Sequence, residues 1–278
     1  VYVSFYDQAE KKNKIYFKNT VSRNSGFINS IFKPFCVFTS SGYLIATTNN
    51  GIEVAFLNTT NRNVFIKNFN AVIKDSTNPN SSVKLYEGNR SRSVVYDSVH
   101  ERIWGGFDDG LRYFEKNKQP QVVSNVESSI YAITSGKQSD HLWVGTDKMG
   151  LYYMEGIAVK KHFTKENGLL DNRISDIKFS DENVYIVTGR VIQIYDSRKN
   201  IFYSLTRTNG LNTYLVTDIE VRNGVLYIAS AQGMQYISTD AIINRSNVAP
   251  LPYVAINKIN AALYSKDTLF YTYNQTQP

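Results

Sequence analysis

The chain has 278 residues, with 31 lysines and arginines against 24 aspartates and glutamates, a net charge of +7 and 42% apolar side chains. That is enough hydrophobic material for a sizeable core, far from the polar, highly charged compositions that stay disordered. The single Cys36 excludes an intramolecular disulfide and a multi-thiolate metal site, and no run approaches the roughly 18 to 20 apolar residues of a membrane-spanning helix.

No basic-then-apolar leader opens the chain, so it is expected to be a soluble segment, processed or excised. The 20 Tyr and 15 Phe, with many Val, Ile, Thr, Ser and Asn, make a β-protein composition. The first element is the alternating run Val1 to Phe5. Five segments then repeat an apolar pair, a short polar loop and a second apolar run: Leu44-Ile45 to Gly51-Ile52, Ile103-Trp104 to Gly110-Leu111, Leu142-Trp143 to Gly150-Leu151, Val184-Tyr185 to Val191-Ile192, and Leu226-Tyr227 to Gly233-Met234. The anchors Ile45, Trp104, Trp143, Tyr185 and Tyr227 are spaced by 59, 39, 42 and 42 residues. The excess in the first interval is assigned to a surface insertion in the polar stretch Asp75 to Asn89. One period before Ile45 falls at Val3, so the chain is expected to open partway through a sixth unit.

Further apolar runs flank each pair. Ser93 to Asp97, Ser129 to Ile133, Ile174 to Ile177 and Val216 to Ile219 precede it, and Val159 to Phe163 and Ile201 to Leu205 follow it. Four short strands in about 42 residues is the period of a β-propeller blade. The predicted fold is therefore all-β, a propeller of about five four-stranded blades plus a partial one over 1–248, with almost no helix.

The units are linked by Phe163-Thr164-Lys165-Glu166-Asn167-Gly168-Leu169 and Leu205-Thr206-Arg207-Thr208-Asn209-Gly210-Leu211, with a degenerate copy at Val21 to Ser30. This Asn-Gly-Leu turn, together with Leu142-Trp143-Val144-Gly145-Thr146, resembles the two-component regulator propeller repeat. The fit is best over Ser129 to Asn172. Residues 249–278, opening on Ala249-Pro250-Leu251-Pro252-Tyr253, look like a linker and the start of the triple-tyrosine, immunoglobulin-like domain that follows such propellers; ring closure by a strand at Tyr253 to Lys258 is the competing reading. The resemblance implies the periplasmic sensor region of a membrane-anchored hybrid histidine kinase of Bacteroidetes type, responding to a glycan-derived or other nutrient ligand. Neighbouring propeller and triple-tyrosine domains would be its partners within the same protein, and a homodimer is left open. The alternative is an extracellular carbohydrate-binding or carbohydrate-active propeller without a kinase.

No phosphate loop, nucleophile elbow or zincin motif is present, so no catalytic residue, metal or cofactor is assigned. His100, His141 and His162 fall at unrelated repeat positions. The lysines and arginines are dispersed, which argues against a nucleic-acid stripe. Trp104 and Trp143 share the anchor position and are expected to fill the space between blades rather than stack on a sugar. In Asp108-Asp109-Gly110 and Asp147-Lys148, turn geometry explains the aspartates better than a cation does. The loops entering each innermost strand and the turns between the two middle strands open on one face of a propeller. That face would carry Asn172, Arg173, Asn212, Tyr214, Asp108, Asp147, Arg190 and Gln232 as ligand contacts, with Asn172 and Arg173 hydrogen-bonding hydroxyl or carboxylate groups and Tyr214 stacking on a ring.

Overall fold

The computed structural model describes residues 4–7, 12–15, 36–39, 42–56, 59–73, 76, 82–188, 190–213, 215–246, 259–265 and 268–273. Strands β1 (Ser4–Asp7) and β2 (Lys12–Ile15) form an antiparallel pair. Five antiparallel sheets follow in chain order. The first holds β3 (Cys36–Phe38), β4 (Tyr43–Thr48) and β5 (Gly51–Phe56), then helix α1 (Thr59–Phe69), β6 (Val72–Ile73) and β7 (Val83–Glu87), in the order β3-β4-β5-β7-β6. The second is β8 (Ser91–Asp97), β9 (Arg102–Phe107), β10 (Gly110–Phe114) and β11 (Gln121–Val122). The third is β12 (Ile130–Ser135), β13 (His141–Thr146), β14 (Leu151–Glu155) and β15 (Ala158–Phe163). The fourth is β16 (Ile174–Ser180), β17 (Asn183–Thr188), β18 (Val191–Asp196) and β19 (Ile201–Leu205). The fifth has three strands, β20 (Val216–Arg222), β21 (Val225–Ser230) and β22 (Gly233–Ser238), followed by helix α2 (Thr239–Ser246). A last antiparallel pair is formed by β23 (Ile259–Ser265) and β24 (Thr268–Tyr273).

This is a β-propeller: up-and-down blades whose first strands lie side by side, β3 and β8, β8 and β12, β12 and β16, β16 and β20. Packing blade on blade buries the second strands on both faces. In β9, β13 and β17 nearly every residue is buried, whereas the outer β15 is mostly exposed. The anchors fill the gaps between blades. Trp104, fully buried, joins Ile130, Ile133 and Val144 of the next blade; Trp143 joins Ile174, Ile177 and Tyr195; Tyr185 joins Val216, Ile219 and Ile228. Tyr227 in the fifth blade is only half-buried, and Met234 and Tyr236 beside it are each 73% exposed.

Close approach explains the repeat's glycine. A Cβ on Gly145 would lie 2.6 Å from Ile174 Cγ2 and 2.8 Å from Ile177 Cδ1 of the fourth blade, and one on Gly106 would lie 2.6 Å from Ile130 Cγ2 of the third. The Asn-Gly-Leu linkers fold as single 3-10 turns. Asn167 accepts from Thr164 N at 2.6 Å and donates to His162 O at 2.9 Å, Asn209 does the same with Thr206 N and Ser204 O, and Gly168 and Gly210 take φ of 130° and 127°.

Two sequence expectations are corrected. The added length in the first blade is not a loop over Asp75 to Asn89: Val83–Glu87 is the fourth strand, paired with β5, and the extra residues form α1 and β6. Polar composition hid the helix, which is held by Phe65, fully buried against Tyr43, Phe56 and Phe69 at ring separations of 5.0, 5.4 and 4.6 Å. The fifth blade is not four-stranded among the described residues. Helix α2 follows β22, its Ile242 buried against Tyr203, Leu205 and Leu211 of the preceding blade and linker, and Thr239 Oγ1 lies 2.8 Å from Tyr185 Oη. The Val1 to Val3 start and the two readings of Tyr253 to Lys258 lie outside the described residues.

Candidate functional site

Strand alternation puts the entry to β8, β12, β16 and β20 and the turns after β9, β13, β17 and β21 on one face. Each of these four innermost strands starts with a β-bulge at the same place, between Ser91 and Ser93, Ile130 and Ala132, Ile174 and Asp176, and Val216 and Asp218. The bulged residues, Arg92, Tyr131, Ser175 and Thr217, are all at least partly exposed on this rim.

Three blades meet there in one polar constellation. The Arg92 guanidinium stacks 4.4 Å from the Tyr131 ring centre, and the Arg173 guanidinium approaches the same ring at 5.7 Å. Arg92 pairs with Asp108, which also accepts from Ser129 Oγ at 3.3 Å; Arg173 Nε pairs with Asp147 at 3.2 Å. Asp147 N donates to Ser129 O at 2.9 Å, fixing the turn of the third blade to its own inner strand. The Arg173 side chain is 61% exposed, so the outer edge of the cluster is open to solvent. Next to Asp108, Asp109 is gripped by both Arg112 terminal nitrogens at 2.6 Å, which holds its carboxyl below the usual range. Both aspartates of that turn are therefore taken up by arginines.

The other expected contacts divide. Asn172 faces its own backbone: Oδ1 accepts from Lys165 N at 2.7 Å and its carbonyl accepts from Gly150 N at 2.9 Å. Arg190 is exposed in the turn of the fourth blade. Asn212 and Gln232 line a separate depression of about 120 Å³ on the fifth blade, where Gln232 Oε1 accepts from Thr213 Oγ1 at 2.9 Å. Tyr214 lies outside the described residues.

No family model matches the chain, and no curated protein matches it. Solved structures do. The extracellular domain assigned to the hybrid two component system BT4673 of B. thetaiotaomicron aligns over 96% of this chain and 39% of that one, with 13% identity and a TM-score of 0.55. The corresponding domain of BT3049 aligns over 77% and 29%, with 16% identity and a TM-score of 0.53. The computationally designed Ika8 protein aligns over 74% and 58%, with 10% identity and a TM-score of 0.52. The likeness is one of fold. The chain spans well under half the length of the two natural domains.

Sequence reading missed Arg92 and Tyr131, because a bulge is invisible without the strand register. It also missed a pair of clamps. Gln193, buried in β18, accepts from Leu170 N at 2.8 Å and donates to Gly168 O at 3.1 Å; Gln235 in β22 repeats this with Asn212 N at 2.9 Å and Gly210 O at 2.6 Å. A glutamine third in each of these strands was the available signal. A third omission is Asp176, which accepts from Ile177 N at 2.8 Å and Ile219 N at 3.2 Å and is hydrogen-bonded to Asp218 at the same position of the next blade. Burial and Asp218 raise its carboxyl to about 7, against a partial opposing pull from Lys178. The histidines serve locally: His100 Nδ1 meets Asp97 at 2.7 Å, His141 Nδ1 meets Tyr153 Oη at 2.8 Å, and His162 stacks on Tyr152 at 4.0 Å. Among the described residues no three metal-ligating side chains converge.

Proposed function

We propose that this chain is part of the ligand-sensing, extracytoplasmic region of a hybrid two-component histidine kinase, and that a small glycan-derived ligand is received on the rim spanning the second, third and fourth blades. One observation supports the rim above all: an aromatic ring approached by two guanidinium groups, each backed by a carboxylate and supplied by a different blade. Such a surface offers stacking for a sugar ring and paired donors and acceptors for hydroxyl groups, on loops held by rigid sheets. We assign Asp108, Asp147, Arg173, Arg92 and Tyr131 to this surface, with the exposed Arg190 in the corresponding turn of the fourth blade. The segment itself is read as non-catalytic, and the protein as anchored in the inner membrane with this region in the periplasm. The fold likeness to extracellular domains of two component systems supports the sensor reading. Among the described residues no helix is long and apolar enough to cross a membrane.

A ligand signals only by favouring one arrangement of the blades over another. A ligand bridging Arg92, Tyr131 and Arg173 would do so by tying together three blades. Binding of an oligosaccharide panel to the purified chain tests the proposal, with Y131A and R173A each expected to weaken the hits at least tenfold. Hits untouched by both substitutions would refute the rim, and turnover of a bound glycan would refute the non-catalytic reading. The complete reading frame, carrying a membrane helix and kinase or not, separates the sensor from a free carbohydrate-binding propeller.

A further inference from the structure

A second concavity lies on the opposite face, where the turns β12–β13 and β16–β17 bring the third and fourth blades together. It encloses about 220 Å³, less than the ~300 Å³ at the small end of ordinary ligand pockets, and so is sized for a single ring. Its wall on the third blade is a cross-strand row, since Trp143 pairs with Tyr153 and Tyr153 with Lys161 across β13, β14 and β15. The fourth blade supplies Phe179 and Glu182.

The aromatic members are not equivalent. Trp143 is only 3% exposed and lies beneath Tyr153, ring centres 4.7 Å apart, so Tyr153 and Phe179, both half-buried, present the accessible aromatic surface. The Tyr153 hydroxyl bonds to His141 Nδ1 at 2.8 Å and to Glu155 at 3.3 Å; burial and Glu155 push its pKa up to about 12, so it stays neutral. The charged members are two lysines against one carboxylate. Lys161 Nζ donates to Tyr195 Oη at 3.1 Å and so points between the blades, and Lys137 bridges the mouth to Glu182 at 2.5 Å. Glu155 and Asp140, just outside, are engaged by Lys160 at 3.5 Å and His141 at 3.8 Å.

We propose that this inter-blade pocket binds one six-membered ring bearing a single carboxylate, the ring against Tyr153 and Phe179 and the carboxylate between Lys161 and Lys137. An ammonium has three donors, and Lys161 spends one on Tyr195, leaving two for an anion. The ligand carboxylate competes with Glu182 for Lys137, so occupancy opens the ion pair that ties the turns of the two blades. The site is distinct from the rim and does not depend on it.

Calorimetry on the full chain with glucuronate, benzoate and glucose tests the inference, with Trp143 fluorescence as a second readout. Glucuronate or benzoate is expected to bind with a Kd below about 1 mM, and glucose at least tenfold more weakly. Whichever acid is tighter identifies the source of the ring, sugar or aromatic. K161M should weaken acid binding at least tenfold, and E182Q should tighten it, a change of sign that a purely structural role would not produce. K118M, a surface lysine on the second blade, controls for net charge. Equal affinity for glucose, insensitivity to both K161M and E182Q, or absence of binding by either acid would overturn the proposal.

Discussion

Asp176 makes the sharpest test of how the blades hold together. Its carboxyl lies between the inner strands of the fourth and fifth blades, bonded to Ile219 N across the junction and to Asp218. Two carboxylates at this range share a proton, and burial penalises the second charge. With the folded value raised above the unfolded one, the folded chain binds more protons between pH 4 and 7 (roughly), so stability from this group is complete below that window and is lost as pH rises through it. Moving a carboxyl from 3.8 to about 7 corresponds at about 1.36 kcal/mol per tenfold to at most ~4 kcal/mol. Sharing the proton with Asp218 lowers the working figure to about 2–4 kcal/mol. Asp176→Asn mimics the protonated form: its amide donates to Asp218, and Ile219 N keeps Asp218 Oδ1 at 3.0 Å as acceptor. Urea denaturation of both proteins from pH 4.5 to 8.5 should give a difference that grows with pH until the variant is more stable by about 2–4 kcal/mol, or roughly 4–12 °C in Tm. Other groups, such as the arginine-bound Asp109, titrate alike in both proteins and cancel. A difference independent of pH would refute the shared proton.

Gly145→Ala should cost about 1–3 kcal/mol in urea unfolding, because the new methyl would meet Ile174 Cγ2 at 2.6 Å. Gln193→Ala should cost about 1–3 kcal/mol by stripping partners from Leu170 N and Gly168 O; the same change at the less buried Gln235 should cost less, and equal losses would count against the clamp. Trp143→Ala should cost about 3–5 kcal/mol, measured by the same unfolding curves, since the indole is 3% exposed between two blades.

The blade period was legible because each anchor must fill the gap to the next blade, and only a large apolar residue at a fixed point of the second strand does so. Ile45, Trp104, Trp143 and Tyr185 keep that role despite different side chains. Helix α1 was not legible: Phe65 and Phe69 are four residues apart, but the other two apolar residues, Val64 and Ile66, directly flank Phe65, so no stripe of helical period stands out. Helix α2 was hidden for a related reason, since its fixing contacts, Thr239 to Tyr185 and Ile242 to Leu205, span 54 and 37 residues of sequence. At the rim, strand direction alone decides which loops and turns share a face, so that much could be read from the sequence. Which side chains are free to act was not legible, because Asn172 satisfies a backbone amide seven residues away while Arg173, its neighbour, reaches Asp147 of the adjacent blade.

The bulges explain why the candidate site falls where it does. In a regular strand every side chain belongs to one face of the sheet, and in a propeller both faces are buried by neighbouring blades, so each position carries a packing duty. A bulge adds one residue that no partner opposes. At that place the four inner strands carry Arg92, Tyr131, Ser175 and Thr217, a cation, an aromatic ring and two hydroxyls, while the residues just before and after the bulge in β8 and β12, Ser91 and Ser93, Ile130 and Ala132, remain buried. The fold thus holds a ring of positions whose chemistry can change without disturbing the blades. Arg92 and Tyr131 use two of them to meet across a blade boundary, and Arg173, one residue before β16, completes the contact from the third side.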